Sequence, residues 1–193
     1  MSKQLSQHAS QQSSQQSSRQ SVEILERAAA VRLAVFDVDG VMTDGKLGYT
    51  SDGNEIKHFH SHDGLGLKAL RNYGIEVAVI TARQSTIVER RMSELGIAHV
   101  LQGRHDKSAA LDELLKTLEV EQKQVAYAGD DLIDWPAMRR CGLKCAPANA
   151  HHYILENADY CGRLAGGEGA VREICELILA GHGKLDAWLE SFA

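Results

Sequence analysis

The chain has 193 residues, 44% of them hydrophobic and 24% charged, with a formal net charge of −5. That suffices for one buried core and falls short of two full domains. It leaves no basic stripe to neutralise a nucleic-acid backbone, and no run approaches the roughly eighteen apolar residues of a membrane span, so neither nucleic acid nor membrane is expected as a partner.

Residues 1–21 are almost entirely Ser and Gln, too poor in apolar surface to offset the entropy of ordering, and read as a disordered tail. The stretch lacks the apolar core of a secretory signal. Cys141, Cys145, Cys161 and Cys175 form no C-x-x-C pair, so neither a disulfide framework nor a zinc site is expected, and a cytoplasmic location follows.

After a helical run from Val22 to Ala30, strand-like and helical segments alternate as in parallel βαβ units. Strands are predicted at Arg32–Asp37, Val77–Thr81, Ala98–Leu101, Val125–Gly129 and Leu143–Ala146. Helical apolar spacing falls at Ser85–Leu95, Lys107–Leu118, Leu132–Arg140 and Ala170–Ala180. One segment departs from the alternation: Leu47–Thr50 and Glu55–Phe59 flank Ser51-Asp52-Gly53-Asn54, the composition of a β-hairpin turn. The expected fold is α/β, a doubly wound parallel sheet with a small hairpin insertion, spanning residues 22–181 and followed by a C-terminal tail, 182–193. Such sheets bind ligands at the carboxyl ends of their strands, where Asp37, Thr81 and Asp130 fall.

The chemistry concentrates in Val35-Phe36-Asp37-Val38-Asp39-Gly40-Val41-Met42-Thr43-Asp44, an apolar strand that ends in two carboxylates two residues apart. A lone D-x-D often caps a turn. At the end of a buried strand, however, the two would repel unless a cation or a proton were present, which points to a metal and an acid/base pair. Ala126-Tyr127-Ala128-Gly129-Asp130-Asp131-Leu132-Ile133-Asp134 is a second apolar strand running into three carboxylates. One of them caps the next helix on the plainest reading, but that leaves two unexplained. With Asp37 they supply the hard oxygen ligands that Mg²⁺ prefers. Thr81 ends a third strand, offering a hydroxyl and a backbone N–H, and Lys107 opens a helix.

In order, D-x-D-G, a strand with Thr, a lysine, and G-D-D-x-x-D resemble the haloacid dehalogenase superfamily, over Arg32 to Ala180. The resemblance implies a Mg²⁺-dependent phosphatase with a Rossmann-like core, working through an aspartyl-phosphate. Asp37 would be the nucleophile and Asp39 the general acid and base, while Mg²⁺ would be held by Asp37, Asp130 and the main-chain carbonyl of Asp39. Thr81 and Lys107 would bind phosphoryl oxygens, and Asp131 and Asp134 would orient the metal shell and the lysine.

Many members insert a cap domain, but Asp39 to Thr81 has room only for the hairpin and one helix, and Thr81 to Lys107 for one helix and one strand. A neighbouring subunit is the expected closure. Asp37–Asp44, Gly129–Pro136 and Ala165–Glu173 resemble, more narrowly, the capless 3-deoxy-D-manno-octulosonate (KDO) 8-phosphate phosphatases of lipopolysaccharide inner-core synthesis. That resemblance implies a homotetramer in which Gly166, Gly167, Gly169 and Arg172 serve a neighbour's site, and a sugar-acid phosphate substrate. His60, Ser61, His62, Asp63, Gly64 and Lys68 resemble the family's sugar-contacting stretch, and Arg83, Ile87 and Arg91 follow at helical spacing, so that Arg83 and Arg91 share the cleft side.

His58, His60 and His62 alternate along a strand and read as solvated rather than as a metal site, since no carboxylate or cysteine supports a zinc geometry. Three other readings compete. A receiver-like signalling domain has a similar carboxylate site, but its phosphorylated Asp lies well after its first acidic pair. A capless phosphatase for a nine-carbon 9-phosphate differs only in substrate. A non-catalytic regulatory subunit is disfavoured because no catalytic residue is missing.

Overall fold

The computed structural model describes residues 21–193; the tail expected over residues 1–21 lies outside them but for Ser21. Residues 21–29 are helical and form α1. Then follow β1 (Leu33–Phe36), β2 (Gly48–Tyr49), β3 (Glu55–Ile56), α2 (Ser61–Asn72), β4 (Glu76–Ile80), α3 (Thr86–Leu95), β5 (His99–Leu101) and α4 (Lys107–Leu118). The chain ends with β6 (Val125–Ala128), α5 (Trp135–Met138), β7 (Leu143–Ala146), α6 (His152–Asn157), β8 (Tyr160–Cys161), α7 (Ala170–Gly181) and α8 (Leu185–Glu190).

Six strands form one parallel sheet in the order β5-β4-β1-β6-β7-β8. The chain leaves β1 toward one edge, returns, and builds toward the other, so the strand order reverses between β1 and β6. That switch point opens a crevice at the carboxyl ends of two adjacent strands, where Asp37 and Asp130 sit. Both faces of the sheet are covered, which is why its strands read as unbroken apolar runs. Ala34, Phe36, Val77, Val79 and Ala126 point to the layer of α2, α3 and α7, while Leu33, Val35, Ala78, Ile80 and Tyr127 point to that of α4, α5 and α6.

The hairpin is present but short, with two-residue strands, Gly48 facing Ile56 and Tyr49 facing Glu55. Residues 57–60 are not strand, and His62 belongs to the first turn of α2. The three histidines thus do not line one strand face, because Asp63 and Gly64 enter a helix whose Leu67 and Leu70 anchor it to the core. The helix expected at Leu132–Arg140 shrinks to α5, with Pro136 in its first turn; residues 132–134 are turns, and the Asp134 side chain reaches back to accept the Asp130 and Asp131 N–H. The segment read as a C-terminal tail carries α8, whose Trp188 is 5% exposed and stacks under the Arg172 guanidinium at 4.4 Å.

Candidate active site

Asp37 follows β1 and is almost fully buried, after which residues 38–42 turn back in a wide helical loop with Gly40 at φ 103°. A Cβ on Gly40 would lie 2.1 Å from Asp130 Oδ2, so this glycine lets the carboxylate after β6 reach the loop after β1. Oxygens of Asp37, Asp130 and Asp134 come within 4.8 Å of one another. Lys107, the first residue of α4, reaches in with its side chain 1% exposed, 2.8 Å from Asp37 and 2.6 Å from Asp134. Asp106 caps that helix by accepting the Ala109 N–H.

The three carboxylates are not equivalent. Asp134 accepts from Lys107, from the Tyr127 hydroxyl and from the backbone N–H of Asp130 and Asp131, so its oxygens are spoken for and it orients the others. Asp130 Oδ1 is buried with no hydrogen-bond partner among the described residues. Burial first, then the Asp134 charge, pushes Asp37 up to about 7, against the opposing pull of Lys107. Burial and the charges of Asp37 and Asp134 do the same to Asp130, also to about 7. Burial disfavours the Lys107 ammonium, but Asp37 and Asp134 outweigh it and its pKa rises. Three carboxylates against one ammonium leave two uncompensated negative charges. A divalent cation fits that deficit, and Asp37 and Asp130 are the side chains with oxygens left for it.

Asp39 points elsewhere. One oxygen pairs with the buried Lys57 and the other lies 3.8 Å from Arg83 Nε. Glu55 joins them, 3.3 Å from Lys57 and 3.2 Å from Arg83, whose guanidinium also donates to the Tyr49 hydroxyl at 2.9 Å. Two carboxylates meet two cations here, so this group is neutral as it stands. The sequence reading missed Lys57 and Glu55, since β3 ends at Ile56 and no local pattern marks either side chain as a partner in the Asp39 group.

Thr81 is buried at the end of β4, but its N–H donates to Leu101 O, so the hydroxyl, 3.4 Å from the Arg83 N–H, is the group it offers. Arg83 precedes α3 rather than lying on it, so it and Arg91 are not helical partners as the spacing suggested. Arg83 stays beside Asp39 and Glu55, while Arg91 lies against α2 and Phe59, where a Cβ on Gly64 would fall 2.5 Å from its Nη2. Beside it His60 and His62 meet edge to face, 4.7 Å between rings, and His60 Nδ1 and Asp63 Oδ2 are buried without hydrogen-bond partners among the described residues. Burial, eased by the Arg172 N–H, raises Asp63 to about 6. Ser61 and Lys68 are exposed on α2. Asp131 is exposed and accepts the Leu132 N–H within the turn; the cap expected of it or of Asp130 is not formed, because α5 begins only at Trp135 and its N-cap, Asp134, makes no side-chain cap bond.

The glycine-rich segment packs within its own chain. A Cβ on Gly166 would lie 1.8 Å from Gly40 O, and one on Gly167 2.5 Å from the Asp44 nitrogen, so these glycines lie flat on the loop that follows the nucleophile. Gly169 sits near His60, and Arg172 donates its N–H to Asp63.

The description "haloacid dehalogenase-like hydrolase" matches residues 91–174. A 3-deoxy-D-manno-octulosonate 8-phosphate phosphatase of Yersinia pestis is 48% identical over 164 residues, 85% of this chain and 88% of that protein. The crystal structure of a probable YrbI family phosphatase of Pseudomonas syringae superposes with a TM-score of 0.87 at 50% identity, covering 88% of this chain and 97% of its own. That of the Moraxella catarrhalis 3-deoxy-D-manno-octulosonate 8-phosphate phosphatase, in complex with magnesium, phosphate and KDO, gives 0.87 at 44% identity, covering 89% and 98%. Likeness at that level over nearly whole chains, joined to a carboxylate crevice at the sheet's switch point, makes this chain a phosphatase that belongs to the 3-deoxy-D-manno-octulosonate 8-phosphate phosphatase family of haloacid dehalogenase-like hydrolases.

Proposed function

We propose that this chain hydrolyses KDO 8-phosphate to KDO and inorganic phosphate, with Mg²⁺, in the cytoplasmic supply of lipopolysaccharide inner-core sugar. The observation that carries the reading is the division of the crevice into two charge groups. One, around Asp37, is short of two positive charges; the other, around Asp39, is already balanced.

Asp37 and Asp130, with the main-chain carbonyl of Asp39, would hold Mg²⁺, which when bound offsets the repulsion between a carboxylate nucleophile and a phosphate dianion. Lys107 fixes one oxygen of Asp37, so the attack angle is set before substrate arrives. Asp37 forms the bond to phosphorus as the bond to the sugar oxygen breaks, and Asp39 gives that oxygen its proton. Asp39 then takes a proton from the water that hydrolyses the aspartyl-phosphate. Thr81 and Lys107 bind the phosphoryl oxygens. Arg83, Arg91, Lys68 and the His60–Gly64 stretch form the sugar-acid side, where the unpartnered His60 Nδ1 suits a hydroxyl or carboxylate of the substrate.

Among the described residues, the hairpin and helix between Asp39 and Thr81 leave the crevice without a lid of its own. Exposed Leu47, Tyr49 and Ile56 on the hairpin and Leu164 before the glycines support closure by a neighbouring subunit in a homotetramer. Gly166 and Gly167 hold this segment against the loop after Asp37, and Gly169 and Arg172 contact His60, Asp63 and Trp188 of the same chain, so the part of it that would meet a neighbour is the exposed Leu164.

The test is phosphate release from a panel of sugar and sugar-acid phosphates with and without Mg²⁺. KDO 8-phosphate is expected to give the highest kcat/KM, Asp37→Asn to be inactive and Asp39→Asn nearly so. Preference for a nine-carbon 9-phosphate would remove the substrate assignment, and substantial turnover by Asp37→Asn would remove the nucleophile.

A further inference from the structure

We infer that Lys57 is a positioning residue for Asp39, tying the orientation of the acid/base carboxylate to the β2–β3 hairpin. The inference rests on the role given to Asp39 above and goes beyond it. The Lys57 side chain is 2% exposed, although its residue follows a two-residue strand on a hairpin that is itself largely exposed. A buried ammonium persists only where a carboxylate compensates it, and Glu55 does so whether or not Asp39, the other partner of Lys57, carries its proton.

The arrangement is directional. Glu55 is anchored on the core side by the Ser85 hydroxyl and by Arg83, and the Ser85 N–H donates to Gln102 at 2.8 Å, next to the end of β5. Lys57 thus bridges from a fixed Glu55 to Asp39 Oδ1. The other oxygen, Oδ2, faces Arg83 Nε at 3.8 Å, a separation too long for a hydrogen bond, and that nitrogen is buried with no hydrogen-bond partner among the described residues. The bridge therefore singles out Oδ2 as the oxygen that carries the proton to the leaving group, with the P–O bond breaking as the bond from Asp37 to phosphorus forms. Loss of the bridge frees Asp39 to rotate, and misplacement of a reacting group by even about 1 Å costs on the order of a hundredfold in rate.

The experiment compares Lys57→Met, Lys57→Arg and Glu55→Gln with the wild type in pre-steady-state release of the leaving group. Two monoesters are used with Mg²⁺: a simple alkyl phosphate, whose alkoxide must be protonated, and p-nitrophenyl phosphate, whose leaving group needs little help. Positioning through Asp39 requires Lys57→Met to lose about a hundredfold on the alkyl ester and far less on p-nitrophenyl phosphate, with KM kept. Lys57→Arg should recover part of the loss. Glu55→Gln, which loosens the bridge from its far end while leaving both Lys57 and Asp39 in place, should show the same pattern more weakly and covers the case in which Lys57→Met fails to fold. Equal losses on both esters would mean a merely structural ion pair, and a raised KM with kcat kept would mean a substrate ligand; either overturns the assignment, as does unchanged activity. Asp39→Asn is the control: if it lacks the leaving-group dependence, the acid role itself fails. Wild-type indifference to KDO 8-phosphate would instead remove the substrate and leave the Lys57 result standing.

Discussion

The ammonium of Lys107 lies 2.8 Å from the carboxylate of Asp37, inside a crevice where three carboxylates approach within 4.8 Å of one another. It is the one cation of that group and is 1% exposed. Replacing it with Met keeps the length of the side chain and removes the charge, leaving Asp37, Asp130 and Asp134 with nothing to offset them in the metal-free protein. Lys107→Met is expected to lower kcat by on the order of 10²- to 10³-fold, the usual loss when one preorganised charge is removed from a phosphoryl or oxyanion site. Lys107→Arg is expected to recover little, since a planar guanidinium cannot occupy a space closed by Asp134 and Tyr127. Steady-state kinetics at saturating Mg²⁺ decide this; near-wild-type kcat in the Arg variant would show the pocket to be looser than its geometry.

The raised carboxylates make metal affinity and stability depend on pH in opposite senses. Asp37 and Asp130 rise from 3.8 to about 7, chiefly through burial. The folded protein therefore holds these protons more tightly than the unfolded chain. Their contribution to the stability of the metal-free protein is fully present below the unfolded value near 3.8 and is lost as pH rises through about 7. A divalent cation needs the deprotonated forms, so its affinity moves the other way and increases over the same upper range. Thermal melts in EDTA should show a falling contribution toward pH 8, while the increment in Tm from added Mg²⁺ grows. Asp130→Asn should raise the Tm in EDTA at pH 8 and abolish most of the Mg²⁺ increment. A Mg²⁺ increment that stays flat across this window would place the cation elsewhere.

Legibility in the sequence followed range. β1, β4 and β6 and the helices α3, α4 and α7 were readable because a strand covered on both faces is an unbroken apolar run and a helix covered on one is periodic. Asp37, Asp130 and Lys107 were readable because their positions at strand ends and a helix start are local. What pairs across distance was not. Lys57 finds Asp39 from eighteen residues away, and nothing local marks a lysine in a hairpin as buried. Gly166 likewise meets Gly40 through the fold, and its glycine run reads in isolation as a plain flexible loop. β8 was missed because two residues at a sheet edge carry no pattern, and α8 because its six residues show too little periodicity to oppose the reading of a tail.

Glycine substitutions separate the crevice's backbone requirements from ordinary turn chemistry. Gly53 has φ 86° at the tip of the hairpin with nothing within 4 Å of a new Cβ, so Gly53→Ala meets only the left-handed backbone penalty, about 1 kcal/mol, and should leave kcat unchanged. Gly166 is limited by space instead: its Cβ would fall 1.8 Å from Gly40 O, against backbone that cannot swing aside, and Gly166→Ala should cost about 3 kcal/mol and shift the loop carrying Asp39. Gly40 has both constraints, φ 103° and a Cβ 2.1 Å from Asp130 Oδ2. The clash there is with a side chain that can turn away, so Gly40→Ala should be limited less by folding than by chemistry, losing Mg²⁺ affinity because Asp130 is displaced from Asp37. Urea denaturation alongside Mg²⁺ titration of kcat distinguishes the three. If Gly40→Ala binds Mg²⁺ normally, the close approach of the loop after β1 to the carboxylate after β6 is not what builds the metal site.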